Sequence, residues 1–183
     1  MDKLLSTCSS KDFYDLRDKA LLFFLFDTGA RASETCAVNL EDIDLRSGSV
    51  LIRSGKGRKP RTVFLGKKSR RALRAYLKSY AKQYNIPECN ALWITAHQTR
   101  LTYWGLNQIL RRRAKEANIE KPSVHDFRRA FALNFLRNGG DIYSLQKLMG
   151  HADLQVLRRY LAQTVEDLKV AHHNYSPVDN SEL

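Results

Sequence analysis

The sequence lacks the features that would mark a membrane or secreted protein. Its longest apolar run, ALLFFLF at residues 20–26, is far shorter than the roughly 20 apolar residues that a membrane-spanning helix needs. The opening stretch, MDKLLSTCSSKDFYD, contains acids and no small-residue cleavage site, so it does not predict a signal peptide. We therefore expect an intracellular, cytoplasmic protein with no membrane partner.

Cysteine is scarce as well. The three cysteines Cys8, Cys36 and Cys89 have neither the paired spacing of a zinc site nor the even number of a disulfide framework, and we expect reduced thiols. Internal repeats and low-complexity stretches are also lacking. A length of 183 residues with 43% hydrophobic content predicts one domain with a substantial core.

Acidic residues are missing from one long stretch. Residues 53–74 contain ten lysines or arginines and no acid, the triplet RRR follows at residues 111–113, and the net charge is +12 although the tail is acidic. Such clustering favours a polyanionic partner, most often nucleic acid, over the alternative of an ordinary solvated surface. The candidate DNA-binding residues in these clusters are Arg53, Arg58, Lys59, Arg61, Arg111, Arg112 and Arg113.

Hydrophobic periodicity predicts a mainly α fold with a small antiparallel β-sheet (α+β). Helical spacing runs through residues 11–26 and stops at Gly29, after which ASETCAVNL restarts a helix. The alternating segments DIDL, SVLIRS and RTVFL, separated by Gly-rich turns, predict the sheet. Later, ALWIT predicts a short strand, and five segments predict helices: KKSRRALRAYLKSYAKQY, LTYWGLNQILRRRAKEAN, SVHDFRRAFALNFLRNGG, DIYSLQKLMG and DLQVLRRYLAQ. The last two each begin with an Asp as N-cap. In the helix KKSRRALRAYLKSYAKQY the expected buried side is Ala72, Leu73, Ala75, Tyr76 and Leu77.

The segment SVHDFRR opens one of those helices, with Ser123 and Asp126 in capping-box spacing. His125 and Arg128 then lie on one face of the first turns, where the helix N-terminus adds positive potential. Together they predict a site for an anion that needs proton handling. The alternative is an ordinary helix start. A metal site of the HD phosphohydrolase kind would need further ligands at suitable spacing, so we expect no metal.

Two more cations stand at turns. Arg31 follows the Gly29 turn, and Glu34, three residues later, is a possible partner that orients its guanidinium. The alternative is a surface ion pair of little energetic weight. Lys56 lies between two glycines at the tip of the predicted hairpin, from which it could reach a neighbouring site or merely touch a phosphate backbone.

Taken together, these motifs resemble the catalytic domain of tyrosine recombinases, the phage-integrase and Xer-like family. The resemblance is carried, in order, by TGARASE, GKGRKPRTVFL, HDFRRAFA and LMGH, with Tyr160 nine residues after the histidine of LMGH. It implies that family's catalytic-domain fold and a role in DNA recombination or integration, as in mobile elements. The catalytic residues implied by position are Arg31, Lys56, His125, Arg128, His151 and Tyr160, with Glu34 in a supporting role.

The resemblance also implies a mechanism. Arg31 and Arg128 clamp a DNA phosphodiester, and Tyr160 attacks it with His125 as base to form a 3′-phosphotyrosine intermediate. Lys56 gives a proton to the leaving 5′-oxygen, and His151 hydrogen-bonds the phosphoryl group. A 5′-hydroxyl can reverse the attack, so neither metal, ATP nor a small-molecule cofactor is expected. Two other tyrosines, Tyr143 and Tyr175, are chemical rivals for the nucleophile but lack the Gly-His spacing.

We expect residues 1–163 to form the catalytic domain and residues 164–183 a tail; the family's N-terminal core-binding domain is expected to be absent from this chain. The tail resembles the segment that recombinases dock onto a neighbouring protomer in a tetrameric synapse on double-stranded DNA, and Leu168, Val170 and Ala171 would supply the contact. A disordered acidic end is the alternative. Work on DNA implies association with the nucleoid. Two rival functions stay open: an inactive DNA-binding regulator and a topoisomerase-like DNA relaxing enzyme.

Overall fold

The computed structural model describes residues 1–9, 12–53, 59–83, 89–150 and 165–181. It divides into two compact units, Met1–Ala152 and Asp153–Leu183. The predicted mainly α fold with a small antiparallel sheet is confirmed. The helices are α1 (Asp2–Ser6), α2 (Phe13–Thr28), α3 (Ala32–Ala37), α4 (Lys67–Gln83), α5 (Tyr103–Glu116), α6 (Val124–Arg137), α7 (Ile142–Met149) and, in the second unit, α8 (Val165–Tyr175).

Helix α2 is the central element of the first unit. Asp12 caps its start by accepting a hydrogen bond from the Asp15 N–H, and Gly29 ends it with a left-handed backbone (φ 58°), as the sequence predicts. Leucines and phenylalanines occur on every side of this helix, and a helix that is apolar all round is buried. Helices α4 and α6 accordingly pack against it.

The sheet has three short antiparallel strands in the order β1-β2-β3: β1 (Ile43–Asp44), β2 (Ser49–Ile52) and β3 (Arg61–Phe64). In the β2–β3 pair Val50 lies opposite Val63 and Ile52 opposite Arg61. This pairing confirms the predicted hairpin, whose tip at residues 54–58 lies outside the described residues. Val50, Ile52 and Val63 are buried, so one face of the sheet covers the core.

Helix α4 buries its predicted side except at one position. Leu73, Tyr76 and Tyr80 face the core, and the Tyr76 hydroxyl donates to the Leu92 carbonyl at 2.9 Å. Ala75 is exposed, so its predicted burial was wrong. Spacings of three and four residues follow the 3.6-residue turn of the helix, whereas Ala75 is one residue off that stripe and points outward.

The segment ALWIT is buried, but it does not form the predicted strand. Two isolated bridges hold it instead, Asn39 with Ala91 and Ile94 with Arg100. Trp93 stacks on Tyr76 with ring centroids 5.7 Å apart. The apolar run therefore reflects burial rather than strand pairing, and an apolar run by itself cannot separate the two.

Helices α5, α6 and α7 each begin at a residue whose side chain caps the first turn. The side chains of Thr102, Ser123 and Asp141 accept hydrogen bonds from the main chains of Gly105, Asp126 and Ser144. The predicted helix DLQVLRRYLAQ lies outside the described residues. None of the helices in the described part of the chain has the length and apolar character that crossing a membrane requires.

Candidate functional site

The turn after α2 presents Arg31 on a fixed backbone. Arg31 is the N-cap of α3, and its main-chain N–H donates to Glu34 Oε2 at 2.8 Å. Its Nη1 donates to Glu34 Oε1 at 3.0 Å, which confirms the predicted Arg31–Glu34 pair. The Arg31 side chain is 23% exposed. Glu34 thus holds both the backbone and the guanidinium of Arg31 and leaves part of that guanidinium accessible.

Arg128 reaches the same turn from helix α6. Its guanidinium is buried and donates through Nη1 to the Gly29 carbonyl and through Nη2 to the Met149 carbonyl, both at 2.7 Å. Met149 is the last residue of α7, where a cation is favoured by the helix dipole. Arg128 therefore ties together the ends of α2 and α7, and it lies at the turn that carries Arg31.

A third arginine, Arg61, completes the cluster from the start of β3. Its Nη1 and Nη2 donate to the two oxygens of Glu34 at 2.9 and 2.8 Å, a bidentate pair. Its Nε donates to the Leu148 carbonyl at 2.7 Å, and its side chain is 11% exposed. Sequence reasoning treated Arg61 as a DNA contact. One signal pointed elsewhere: strand alternation puts Arg61 on the same face as buried Val63.

The cluster of Arg31, Glu34, Arg61 and Arg128 is cationic. Burial by itself would raise the pKa of Glu34, but hydrogen bonds from Arg61 and Arg31 outweigh it and lower that pKa from 4.5 to about 2. Glu34 is therefore ionised at neutral pH and balances one of the three guanidiniums. The net positive charge and the planar forks suit an anion with several equivalent oxygens, such as a phosphodiester.

His125 lies in the first turn of α6, three residues before Arg128, and its side chain is exposed. The capping box predicted for this helix start is confirmed: Ser123 and Asp126 bond each other's main-chain N–H groups. The Ser123 hydroxyl also donates to the Asp126 carboxylate at 2.7 Å, and this bond together with that from the Ser123 main-chain N–H holds the pKa of Asp126 below its usual range. The helix start that presents His125 is thus fixed by its own cap.

Four of the predicted site residues, Lys56, Arg58, His151 and Tyr160, lie outside the described residues. Their neighbours in the chain are described. Arg61 begins the strand that leaves the hairpin of Lys56, and Gly150, which precedes His151, ends α7 with a left-handed backbone (φ 71°). The roles assigned to these four residues stay predictions.

The lysine and arginines predicted to bind DNA differ in their surroundings. Lys59 and Arg111 are exposed. Arg53 is half exposed and pairs with Asp42 and Glu41, while Arg112, also half exposed, pairs with Asp18. These side chains lie at the surface, where a phosphate backbone can approach them.

Arg113 is buried, and its guanidinium donates to Asp18, Asp15, Glu116 and the Thr7 carbonyl. It links α5 to α2, because Asp15 and Asp18 both belong to α2. Arg61 is likewise bonded inside the fold. Nε, Nη1 and Nη2 of both guanidiniums all donate to protein acceptors, so we drop Arg61 and Arg113 from the predicted DNA surface.

Among the described residues, no group of three or more His, Cys, Asp or Glu side chains is placed to hold a metal ion. The chemistry available to the described cluster is that of guanidinium hydrogen bonds and positive charge. His125 adds an exposed imidazole three residues before Arg128.

Comparison with known proteins finds relatives of this chain among the tyrosine recombinases. Two curated relatives are the tyrosine recombinase XerD of Listeria innocua, 34% identical over 180 residues, and the tyrosine recombinase XerC of Thermodesulfovibrio yellowstonii, 36% identical over 173. These matches cover 97% and 91% of this chain but 60% and 56% of the relatives, so the chain spans a little over half of their length.

The fold is shared with solved recombinases. The crystal structure of XerA recombinase superposes with a TM-score of 0.80 at 29% identity, covering 96% of this chain and 62% of that one. The XerH site-specific recombinase bound to its difH substrate gives 0.73 at 25% identity, covering 93% and 50%. A family model, the phage integrase family, matches residues 1–167. With its arginine cluster built on that fold, the chain belongs to the phage integrase family of tyrosine recombinases.

Proposed function

We propose that this chain is the catalytic part of a site-specific recombinase or integrase that cleaves and rejoins duplex DNA through a 3′-phosphotyrosine intermediate. The observation that carries the proposal is the meeting of Arg31 and Arg128 at one turn. Arg128 bonds the Gly29 carbonyl, and Arg31 follows two residues later on a backbone fixed by Glu34. Family membership makes DNA recombination the chemistry that such a pair serves.

The two arginines would act on the phosphate. Their forks donate to its non-bridging oxygens, and these bonds strengthen as negative charge builds in the transition state. The hydrogen bonds that hold Arg128 and Glu34 exist before DNA arrives, so little reorganisation is needed when the reaction occurs. Glu34 serves as the support that aims Arg31.

The covalent step would use His125 together with three groups that lie outside the described residues, Tyr160, Lys56 and His151. The Tyr160 phenolic oxygen attacks phosphorus, its proton passing to His125, and the bond from phosphorus to the 5′-oxygen breaks. Lys56 donates a proton to that oxygen, while His151 donates a hydrogen bond to the phosphoryl group. One phosphoester replaces another, so a 5′-hydroxyl can reverse the step and rejoin a strand without a metal, ATP or another cofactor.

Double-stranded DNA is the proposed substrate. The surface cations Arg53, Lys59, Arg111 and Arg112, together with Arg58, would neutralise backbone phosphates. The XerH site-specific recombinase was solved bound to its difH substrate, which supports this choice. A protein acting on such DNA would work at the nucleoid, in the cytoplasm.

We further propose that residues 164–183 dock on a neighbouring protomer and help to form a tetrameric synapse on DNA. Helix α8 and the turn after it support a folded tail rather than a disordered end. Leu168→Asp should lower the oligomeric state on DNA, measured by sedimentation. Lys169→Gln, at an exposed neighbouring position, is the control.

The central test is covalent trapping in the presence of EDTA. The substrates are nicked suicide duplexes made from the genomic DNA beside the gene. The wild type should give a denaturant-resistant protein–DNA adduct, and Tyr160→Phe should give none while still retaining DNA. Tyr143→Phe and Tyr175→Phe are the matched controls. An adduct with the Tyr160→Phe variant would overturn the nucleophile, and loss of the adduct in EDTA would point to a metal-dependent reaction.

A further inference from the structure

Arg61 makes more contacts than a surface cation at the base of a hairpin needs. It donates to both oxygens of Glu34 and, through Nε, to the Leu148 carbonyl. The three acceptors come from helices α3 and α7, which are far apart in the sequence, whereas Arg61 itself belongs to β3. Such a side chain fixes the relative position of three elements.

We propose that Arg61 is a positioning residue for phosphate cleavage: it keeps the surroundings of Arg31 positively charged, it aims the Arg31 guanidinium through Glu34, and it anchors the end of α7. This inference rests on the proposed function. It assigns to Arg61 no contact with DNA or with the reacting atoms, because its guanidinium is bonded within the fold.

Arg61 changes the net charge next to Arg31. Arg31 and Glu34 alone form a neutral ion pair, in which the carboxylate offsets the charge that a phosphate needs. Arg61 adds a second guanidinium to the same carboxylate, so the three side chains together carry a net charge of +1. The exposed part of Arg31 is where an incoming anion would meet that charge.

Arg61 also orients the carboxylate of Glu34. Glu34 Oε1 accepts from the Nη1 atoms of both arginines, while Oε2 accepts from Arg61 Nη2 and the main-chain N–H of Arg31. The fork of Arg61 therefore fixes the plane of the carboxylate, and that carboxylate orients Arg31. A lysine in place of Arg61 would keep the charge but could not hold both oxygens in this plane.

Arg61 also links β3 to the end of α7. Arg61 and Arg128 bond consecutive carbonyls, those of Leu148 and Met149. A Cβ at Gly150 would lie 3.1 Å from Arg61 Cδ, so the glycine packs directly on this side chain. Because His151 follows Gly150 in the sequence, Arg61 connects β3, the strand that follows Lys56, with the segment that precedes His151.

The experiment compares Arg61→Met, Arg61→Lys and the double variant Arg61→Met/Glu34→Gln with the control Arg17→Met. Arg17 has matched contacts away from the cluster: it donates to the Asp18 carboxylate and to the Ile94 carbonyl. Two quantities are measured on folded protein, with near-UV circular dichroism to verify folding. One is the ¹⁵Nε–H NMR resonance of Arg31, assigned by its loss in Arg31→Lys. The other is the single-turnover rate of adduct formation at saturating suicide DNA.

We expect Arg61→Met to move the Arg31 resonance and to slow cleavage at saturating DNA about a hundredfold, since a misplaced group costs rate rather than binding. Adding Glu34→Gln should recover about tenfold of that rate, because it removes the negative charge that offsets Arg31 while the glutamine oxygen can still accept a hydrogen bond from Arg31. Arg61→Lys should fall between Arg61→Met and the wild type, and Arg17→Met should leave both quantities unchanged.

An unchanged Arg31 resonance in Arg61→Met, with a cleavage rate equal to that of Arg17→Met, overturns the inference. The NMR measurement needs no DNA. If the wild type forms no adduct, the proposed function fails, and the Arg31 resonance still decides whether Arg61 positions it.

Discussion

The guanidinium of Arg128 donates a 2.7 Å hydrogen bond to the carbonyl oxygen of Gly29, although 99 residues separate the two in the chain. That bond brings helix α6 to the turn that carries Arg31. The glycine itself is favoured by the left-handed backbone that ends α2 and by Phe131, which lies where a Cβ would stand. The predictions below follow from this cluster and from the basic surface.

Arg128→Lys should lower the single-turnover cleavage rate about a hundredfold or more while DNA retention persists. A lysine has one ammonium and cannot bond the Gly29 and Met149 carbonyls and also present a planar fork to phosphate. Arg129→Lys, at the exposed next position, is the control and should cleave normally. Equal rates for the two variants would contradict the assignment of Arg128 to the clamp.

Gly29→Ala should destabilise the protein by about 2 kcal/mol and slow cleavage. The added Cβ would lie 2.5 Å from Cδ1 of Phe131, in a backbone conformation with φ of 58° that L-residues rarely adopt. Urea unfolding measures the loss. Because the clash involves Phe131, Gly29→Ala should cost less in a Phe131→Ala background. Additive effects would show that backbone strain alone accounts for the loss.

Acid should weaken the fold partly through Glu34. The pKa of Glu34 is lowered from 4.5 to about 2, so its contribution to the free energy of unfolding is full above pH 5. That contribution, about 3 kcal/mol, is lost as the pH falls from 5 to 2, because the unfolded chain then binds the proton more readily. Chemical denaturation at a series of pH values checks the slope. Glu34→Gln should be less stable at pH 7 and show a flatter profile, and parallel profiles would contradict this origin.

Two neighbouring arginines should behave differently in DNA binding. Arg111 is exposed, so Arg111→Ala should reduce the slope of log affinity against log salt by about one. Arg113 is buried against Asp15 and Asp18, so Arg113→Ala should cost about 3–5 kcal/mol of stability and leave the salt slope of the folded protein unchanged. Fluorescence anisotropy across salt concentrations separates the two effects. A lower slope for Arg113→Ala would return that residue to the DNA surface.

Much of the fold follows from local signals. Gly29, Ser123 and Asp141 mark helix boundaries because capping chemistry acts over a few residues, and the alternation of β2 and β3 sets their pairing. The Arg31–Glu34 pair was predictable for the same reason, since three residues span one helical turn. ALWIT was predicted as a strand, and the structure shows its apolar residues buried without strand pairing, which depends on partners elsewhere in the chain.

The sequence by itself determined the α+β class, the helix ends and the order of the motifs that carry the family resemblance. Only the tertiary structure decided which cations lie inside. Arg61 and Arg113 read in the sequence like their basic neighbours, yet one bonds Glu34 and Leu148 and the other bonds Asp15 and Asp18. The physical reason is that a guanidinium can be buried only where acceptors from distant segments converge, and such convergence exists only in the folded chain.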